Sequence, residues 1–252
     1  MLTHKKYDGI PADFTLEKAQ EWVKPRTSEK RFSHVKGVAK VARELAIEAH
    51  CDVFLAELAG WLHDCCKEMK DRDLVIQALQ FGLQLTPLDR VSGHLWHGPV
   101  GAETIKQDLN ITNDAVLDAI RQHTLGAVAM TDLSKVVFLA DCLEASRPSD
   151  YTDPIWNALR GAAGAKNGAK KPKNKKKTEE SCEQQAADGR EREHELDLDL
   201  AILVACDLGL QQLIESKRVI HPKTVEVRNY YLDLIRKRQV DDELANTDKS
   251  KR

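Results

Sequence analysis

Aromatic residues are scarce in this chain, at 5% of 252 positions, while Leu and Ala dominate an apolar share of 42%. That balance favours helix over strand. No run alternates apolar and polar residues over a useful length, so a sheet has no sequence support. Charge of one sign is also missing. Lys and Arg total 38 against 40 Asp and Glu, a formal net charge of −2, which excludes a surface built wholly for nucleic acid. Six cysteines are present (Cys51, Cys65, Cys66, Cys142, Cys182, Cys206), but none forms a CxxC pair, and Cys65 and Cys66 are adjacent. They read as reduced thiols of a cytoplasmic protein rather than a disulfide framework. No apolar stretch reaches about 18 residues, so no membrane span is expected. The first residues, MLTHKKYDGIPADF, lack the apolar core of a signal peptide.

Apolar positions recur at helical spacing almost throughout. Helices are expected over 13–24, 34–49, 53–63, 72–81, 114–124, 133–145, 197–216 and 223–238, with a further one whose first turn holds Pro99. Gly82 reads as a residue just past a helix end and Asn113 as an N-cap. The fold class is therefore all-α, a single helical bundle. Its parts are an extension over 1–25 with a short helix, a first part of the domain over 26–160, C-terminal helices over 196–240, and a flexible tail over 241–252. Residues 161–195 break the pattern. They open GAAGAKNGAKKPKNKKK, then turn acidic and glutamine-rich. A segment so poor in large apolar groups cannot offset its ordering entropy, and it reads as a disordered low-complexity insertion. The alternative is a basic arm, Lys166 to Lys177, that touches nucleic acid or ribosomes, with the adjacent acidic run competing for it.

Several histidines and aspartates sit beside apolar helix faces: His34 in RFSHVKGVA, His63 and Asp64 in AGWLHDCCKE, His97 in LWHGPVGA, His123 in AIRQHT and Asp141 in FLADCLEASR. A carboxylate inside FLADCL is unusual, because such groups are rarely buried without a partner. A metal ion would stabilise it. Mixed imidazole and carboxylate ligands favour Fe, Mn or another divalent ion over a thiolate zinc site. Such a centre lowers the pKa of bound water and polarises phosphorus. His4, His50 and His194 read as surface residues, His94 as a less favoured alternative to His97, and His221 as structural or nucleotide-facing.

This ordered set resembles the HD superfamily of metal-dependent phosphohydrolases. The strings KRFSHVKGVAKVARELA, LWHGPVGAE and LIESKRVIHPKTVEVRNYYL narrow the resemblance to the YqeK-type symmetrical diadenosine tetraphosphate hydrolases, over about residues 29 to 233 without the insertion. The resemblance implies metal ligation by His34, His63, Asp64 and Asp141, with Asp64 also serving catalysis. It implies iron as the metal, a dinucleoside polyphosphate as substrate and two ADP as products. Lys67, His97 and His123 are expected to face the phosphate chain around a single ion, with a second ion on the two histidines as the alternative. Arg31, Thr124, Arg147, Thr224 and Arg228 are further candidates for substrate binding. A homodimer is compatible with the sequence. The competing functions are hydrolysis of another nucleotide (a deoxynucleotide, a guanosine alarmone or a cyclic nucleotide) and nucleotide sensing without turnover.

Overall fold

The computed structural model describes residues 7–164 and 196–249. Among them are eleven α-helices and no strand: α1 Leu16–Val23, α2 Glu29–Glu48, α3 Val53–Leu62, α4 Asp71–Gln80, α5 Pro87–Val91, α6 His97–Leu109, α7 Asp114–Gln122, α8 Asp132–Leu143, α9 Ser149–Gly164, α10 Leu198–Glu215 and α11 Pro222–Lys249. Capping residues set where most of them begin. Asp52, Asn113 and Thr131 each accept a hydrogen bond from the backbone N–H three residues on. Ser28 caps α2 in the same way, and its own N–H and hydroxyl are held by the Glu68 carboxylate. α2 therefore starts before residue 34, and His34 lies within it rather than at its end.

At the centre, α2 packs on α3 and α8, while α7 packs on α3, α6 and α8. Val35, Val38, Leu45, Leu58, Leu62, Ile120, Val136 and Leu139 fill this core. Two glycines permit the closest approaches. A Cβ at Gly60 of α3 would lie 2.7 Å from the Cα of Ala39 in α2, and one at Gly37 would meet the Glu144 carboxylate at 2.5 Å. The tight α2–α3 and α2–α8 contacts bring His34, His63 and Asp141 to one place.

Three features depart from the sequence expectation. α5 and the 3₁₀ turn Gly93–Trp96 are too short to show a period. α9 was not expected, although Ile155 and Leu159 anchor it fully buried. It borders the low-complexity stretch and kinks at Gly161, whose φ of +70° favours glycine. α11 runs on to Lys249, through the segment read as a tail. Residues 161–164, read as the start of the disordered insertion, instead close α9, while residues 165–195, with the rest of the insertion and the basic-arm reading, lie outside the described residues.

Candidate metal centre

Helix ends aim the histidines. His63 and His123 are the C-cap residues of α3 and α7. The last carbonyls of a helix have no intrahelical donor. His63 Nδ1 takes the Gly60 carbonyl at 2.7 Å, and His123 Nδ1 takes the Ile120 carbonyl at 2.8 Å. His97, at the junction of the 3₁₀ turn and α6, donates Nδ1 to the His94 carbonyl. A carbonyl only accepts, so each Nδ1 carries the proton and each Nε2 presents a lone pair. His34 differs in its anchor, with Nδ1 on Glu144 Oε2 at 3.2 Å.

All four Nε2 atoms converge on the Asp64 carboxylate. His34 and His63 lie 3.8 and 3.6 Å from Oδ2, and His97 and His123 lie 3.2 and 3.5 Å from Oδ1. Asp141 Oδ1 stands 3.1 Å from His34 Nε2. Two overlapping triads have ligand atoms within 4.8 Å of one another, His34/His63/Asp141 and His63/Asp64/His123. His63 Nε2 is buried without a hydrogen-bond partner. His97 Nε2 and His123 Nε2 face each other at 2.9 Å. Two lone pairs this close repel unless a cation lies against them. The donor set thus fits a divalent metal, and the fixed tautomers are those of imidazole ligands steadied by outer hydrogen bonds.

Electrostatics agree. Burial pushes His63 and His97 down to about 4, which keeps both rings neutral near pH 7. Burial acts upward on Asp64, but the imidazoles of His63, His123 and His97 around it outweigh that, and the carboxyl stays well below its usual range. For Asp141, burial is again outweighed, by His34, by the neighbouring His63 imidazole and by the Arg147 guanidinium, and its carboxyl is held below the usual range. His34 alone is raised, since Asp141, Asp64 and Glu144 outweigh its burial. The carboxylates here draw positive charge to this point.

A cleft of about 620 Å³ opens over the centre and is lined by Lys67, His123, Thr124, Asp141, Arg147 and Thr224, among others. Lys67 Nζ is 3.4 Å from His97 Nε2, and burial lowers its pKa. The Thr124 hydroxyl is 3.1 Å from both His97 and His123 Nε2. Arg147 Nη2 contacts Asp141 Oδ1 at 2.7 Å, and Arg31 Nη1 contacts Asp64 Oδ2 at 2.9 Å. Arg228 does not join them. It pairs with Asp207 at 2.7 Å and does not line the cleft. His221 sits apart from the centre on Asp89, at 3.0 Å.

The sequence reading did not single out Glu144, the C-cap residue of α8. It is buried, holds His34 Nδ1 and receives the Ser146 hydroxyl and backbone N–H. The signal was available, since a carboxylate one turn after Asp141 on an apolar helix needs a partner. Glu144→Ala is expected to lower metal affinity about 10- to 100-fold, as loss of an outer hydrogen bond to a ligand does. Glu144→Gln, which keeps an acceptor for Nδ1–H, is expected to restore most of it. Titration against a competing chelator reads both.

The family model for the HD domain matches residues 31–146. The chain is 34% identical over 139 residues to a protein of Bacillus subtilis (strain 168) named "Bis(5'-nucleosyl)-tetraphosphatase, symmetrical", covering 55% of this chain and 74% of that one. A Staphylococcus aureus protein of the same name is 34% identical over 142 residues, 56% of this chain and 72% of that one. Among solved structures, a Clostridium acetobutylicum protein described as a predicted HD superfamily hydrolase involved in NAD metabolism superposes with a TM-score of 0.69. It is 25% identical, and the match covers 87% of this chain and 98% of that one.

Proposed function

The chain belongs to the HD domain family, and from that premise we infer that it is a metal-dependent hydrolase that splits diadenosine tetraphosphate symmetrically into two ADP. The observation that carries this reading is the convergence of four Nε2 lone pairs on both oxygens of Asp64, beneath a cleft with phosphate-binding groups. His34, His63, Asp64 and Asp141 hold one ion. When bound, the metal supplies a nucleophile from water at neutral pH and Lewis-acid polarisation of a phosphoryl oxygen. Iron is the metal of this proposal, as the family resemblance implies, and the imidazole and carboxylate donor set admits it alongside Mn or another divalent ion.

His97 and His123 are read as residues that would hold a second ion together with Asp64, in place of the phosphate role expected from the sequence. Each ring spends its Nδ1–H on a carbonyl, so a neutral ring turns a lone pair rather than a donor towards the cleft, as a metal ligand does and a phosphate-binding group does not. The facing Nε2 atoms at 2.9 Å favour the same reading.

The chain's own groups then divide the remaining work. Lys67, Thr124 and the free N–H groups of Arg147 and Arg31 surround the position where charge develops on the phosphates. Lys67 Nζ, 3.4 Å from His97 Nε2, can deliver a proton to the departing ADP. Thr224 lines the far side of the cleft and contacts the nucleotide there. A cytoplasmic setting accords with the free thiols of Cys51, Cys65, Cys66, Cys142 and Cys206. No helix among the described residues is long and apolar enough to cross a membrane.

Stripping the metal with a chelator is expected to abolish hydrolysis, and adding back Fe(II) or Mn(II) to restore it in proportion to bound metal. Full activity in the metal-free protein would remove the reading.

A further inference from the structure

A second cavity, of about 380 Å³, lies beside the catalytic cleft. Trp96, Gln122 and His221 help to wall it, and it shares Leu95 and Leu125 with the cleft. Its volume suits a small-molecule site. Three segments serve both spaces. Residues 95–99 give Trp96 to the cavity and His97 to the metal centre. Residues 122–127 give Gln122 to the cavity and His123 and Thr124 to the cleft. Residues 221–224 give His221 to the cavity and Thr224 to the cleft. A phosphate chain over His123 and Thr124 therefore has one end at the mouth of this cavity.

The wall is held in shape by a buried carboxylate that the reaction does not use. Asp89 is 4% exposed. It accepts from the Thr86 backbone N–H at 2.7 Å, the Thr86 hydroxyl at 2.6 Å and His221 Nε2 at 3.0 Å. The imidazole is thereby fixed before any ligand arrives. Gln122 Oε1 is buried and has no hydrogen-bond partner. Its terminal torsion is broad, so a small turn presents the amide oxygen and N–H together to the cavity. That pair matches adenine, which offers the N6 amino donor beside the N7 acceptor, whereas guanine offers two acceptors on the same edge. Indole gives a flat apolar face for a base.

We propose that this cavity seats one adenosine of the dinucleotide, with Gln122 as the residue that selects adenine and Trp96 as the stacking surface. The proposal rests on the tetraphosphatase reading. The test is steady-state hydrolysis of diadenosine and diguanosine tetraphosphate by the metal-loaded full chain. Wild type is expected to prefer the adenine substrate. Gln122→Met, of similar volume, is expected to raise KM for diadenosine tetraphosphate roughly tenfold with kcat within a few-fold, the pattern of a contact made equally in ground and transition states. KM for the guanine substrate should stay unchanged, so the preference collapses. Gln122→Asn, which keeps the amide but withdraws it, should act the same way. Trp96→Ala should raise KM for both substrates, and Trp96→Phe should not. An adenine preference that is absent in wild type, or intact in Gln122→Met and Gln122→Asn, overturns the assignment. Failure of wild type to release ADP at all overturns the tetraphosphatase reading instead, and this seat with it.

Discussion

Asp64→Ala is expected to lose turnover by at least about a thousandfold, the upper end of what one transition-state contact supplies, and to lose most bound metal with it. The Asp64 carboxylate presents one oxygen to each half of the centre. Oδ2 faces His34 and His63, and Oδ1 faces His97 and His123. Removing the carboxylate leaves the Nε2 lone pairs without the anion that balances a divalent ion between them. It also frees Arg31, which bonds Oδ2 at 2.9 Å, to place a positive charge near the vacated position. Asp64→Asn separates chemistry from folding. The amide keeps the shape and one acceptor but lacks the charge, so it should melt near wild type while binding metal poorly. Metal analysis, melting and rate assays on both variants decide the matter. An Asp64→Ala protein with near-normal activity would contradict the whole assignment of the centre.

The second large effect is expected at His97 and His123. Each single alanine variant should bind one metal ion per chain where wild type binds two, and activity should fall at least about a hundredfold, some 2.7 kcal/mol at the transition state. The expectation comes from the tautomers. With Nδ1 committed to the His94 and Ile120 carbonyls, both rings can offer only lone pairs to whatever occupies the space between them. Retention of the wild-type metal content in both variants, with the same loss of rate, would return these rings to the phosphate-facing role.

How much of this was legible in the sequence differs from residue to residue. His34, the His63–Asp64 pair and Asp141 stand out because polar ligand types interrupt apolar helices, and the structure gathers these residues as two triads with His123. Their grouping follows from helix periodicity together with the close approaches at Gly37 and Gly60. The tautomers were not legible, because they depend on which helix carbonyl lacks a donor, and helix ends are the least certain feature of a sequence reading. His63 and His123 fall on C-caps, and a shift of a single residue would have left Nδ1 without its carbonyl. Arg228 could not be told from a phosphate ligand until its partner Asp207 was placed on the neighbouring α10. α9 escaped because Pro154 lies within it and it runs into the low-complexity stretch. Glu144 escaped for a different reason, since its position fits the α8 stripe and only the neighbouring helix reveals what it holds.

Product analysis bears most directly on the central claim. The purified, metal-loaded chain is incubated with diadenosine tetraphosphate and the nucleotides are separated while substrate remains in excess. The account predicts ADP as the sole nucleotide product, two for each substrate consumed, with none formed by the metal-stripped protein. ATP and AMP in equal amounts, or ADP formed equally well without metal, would contradict it.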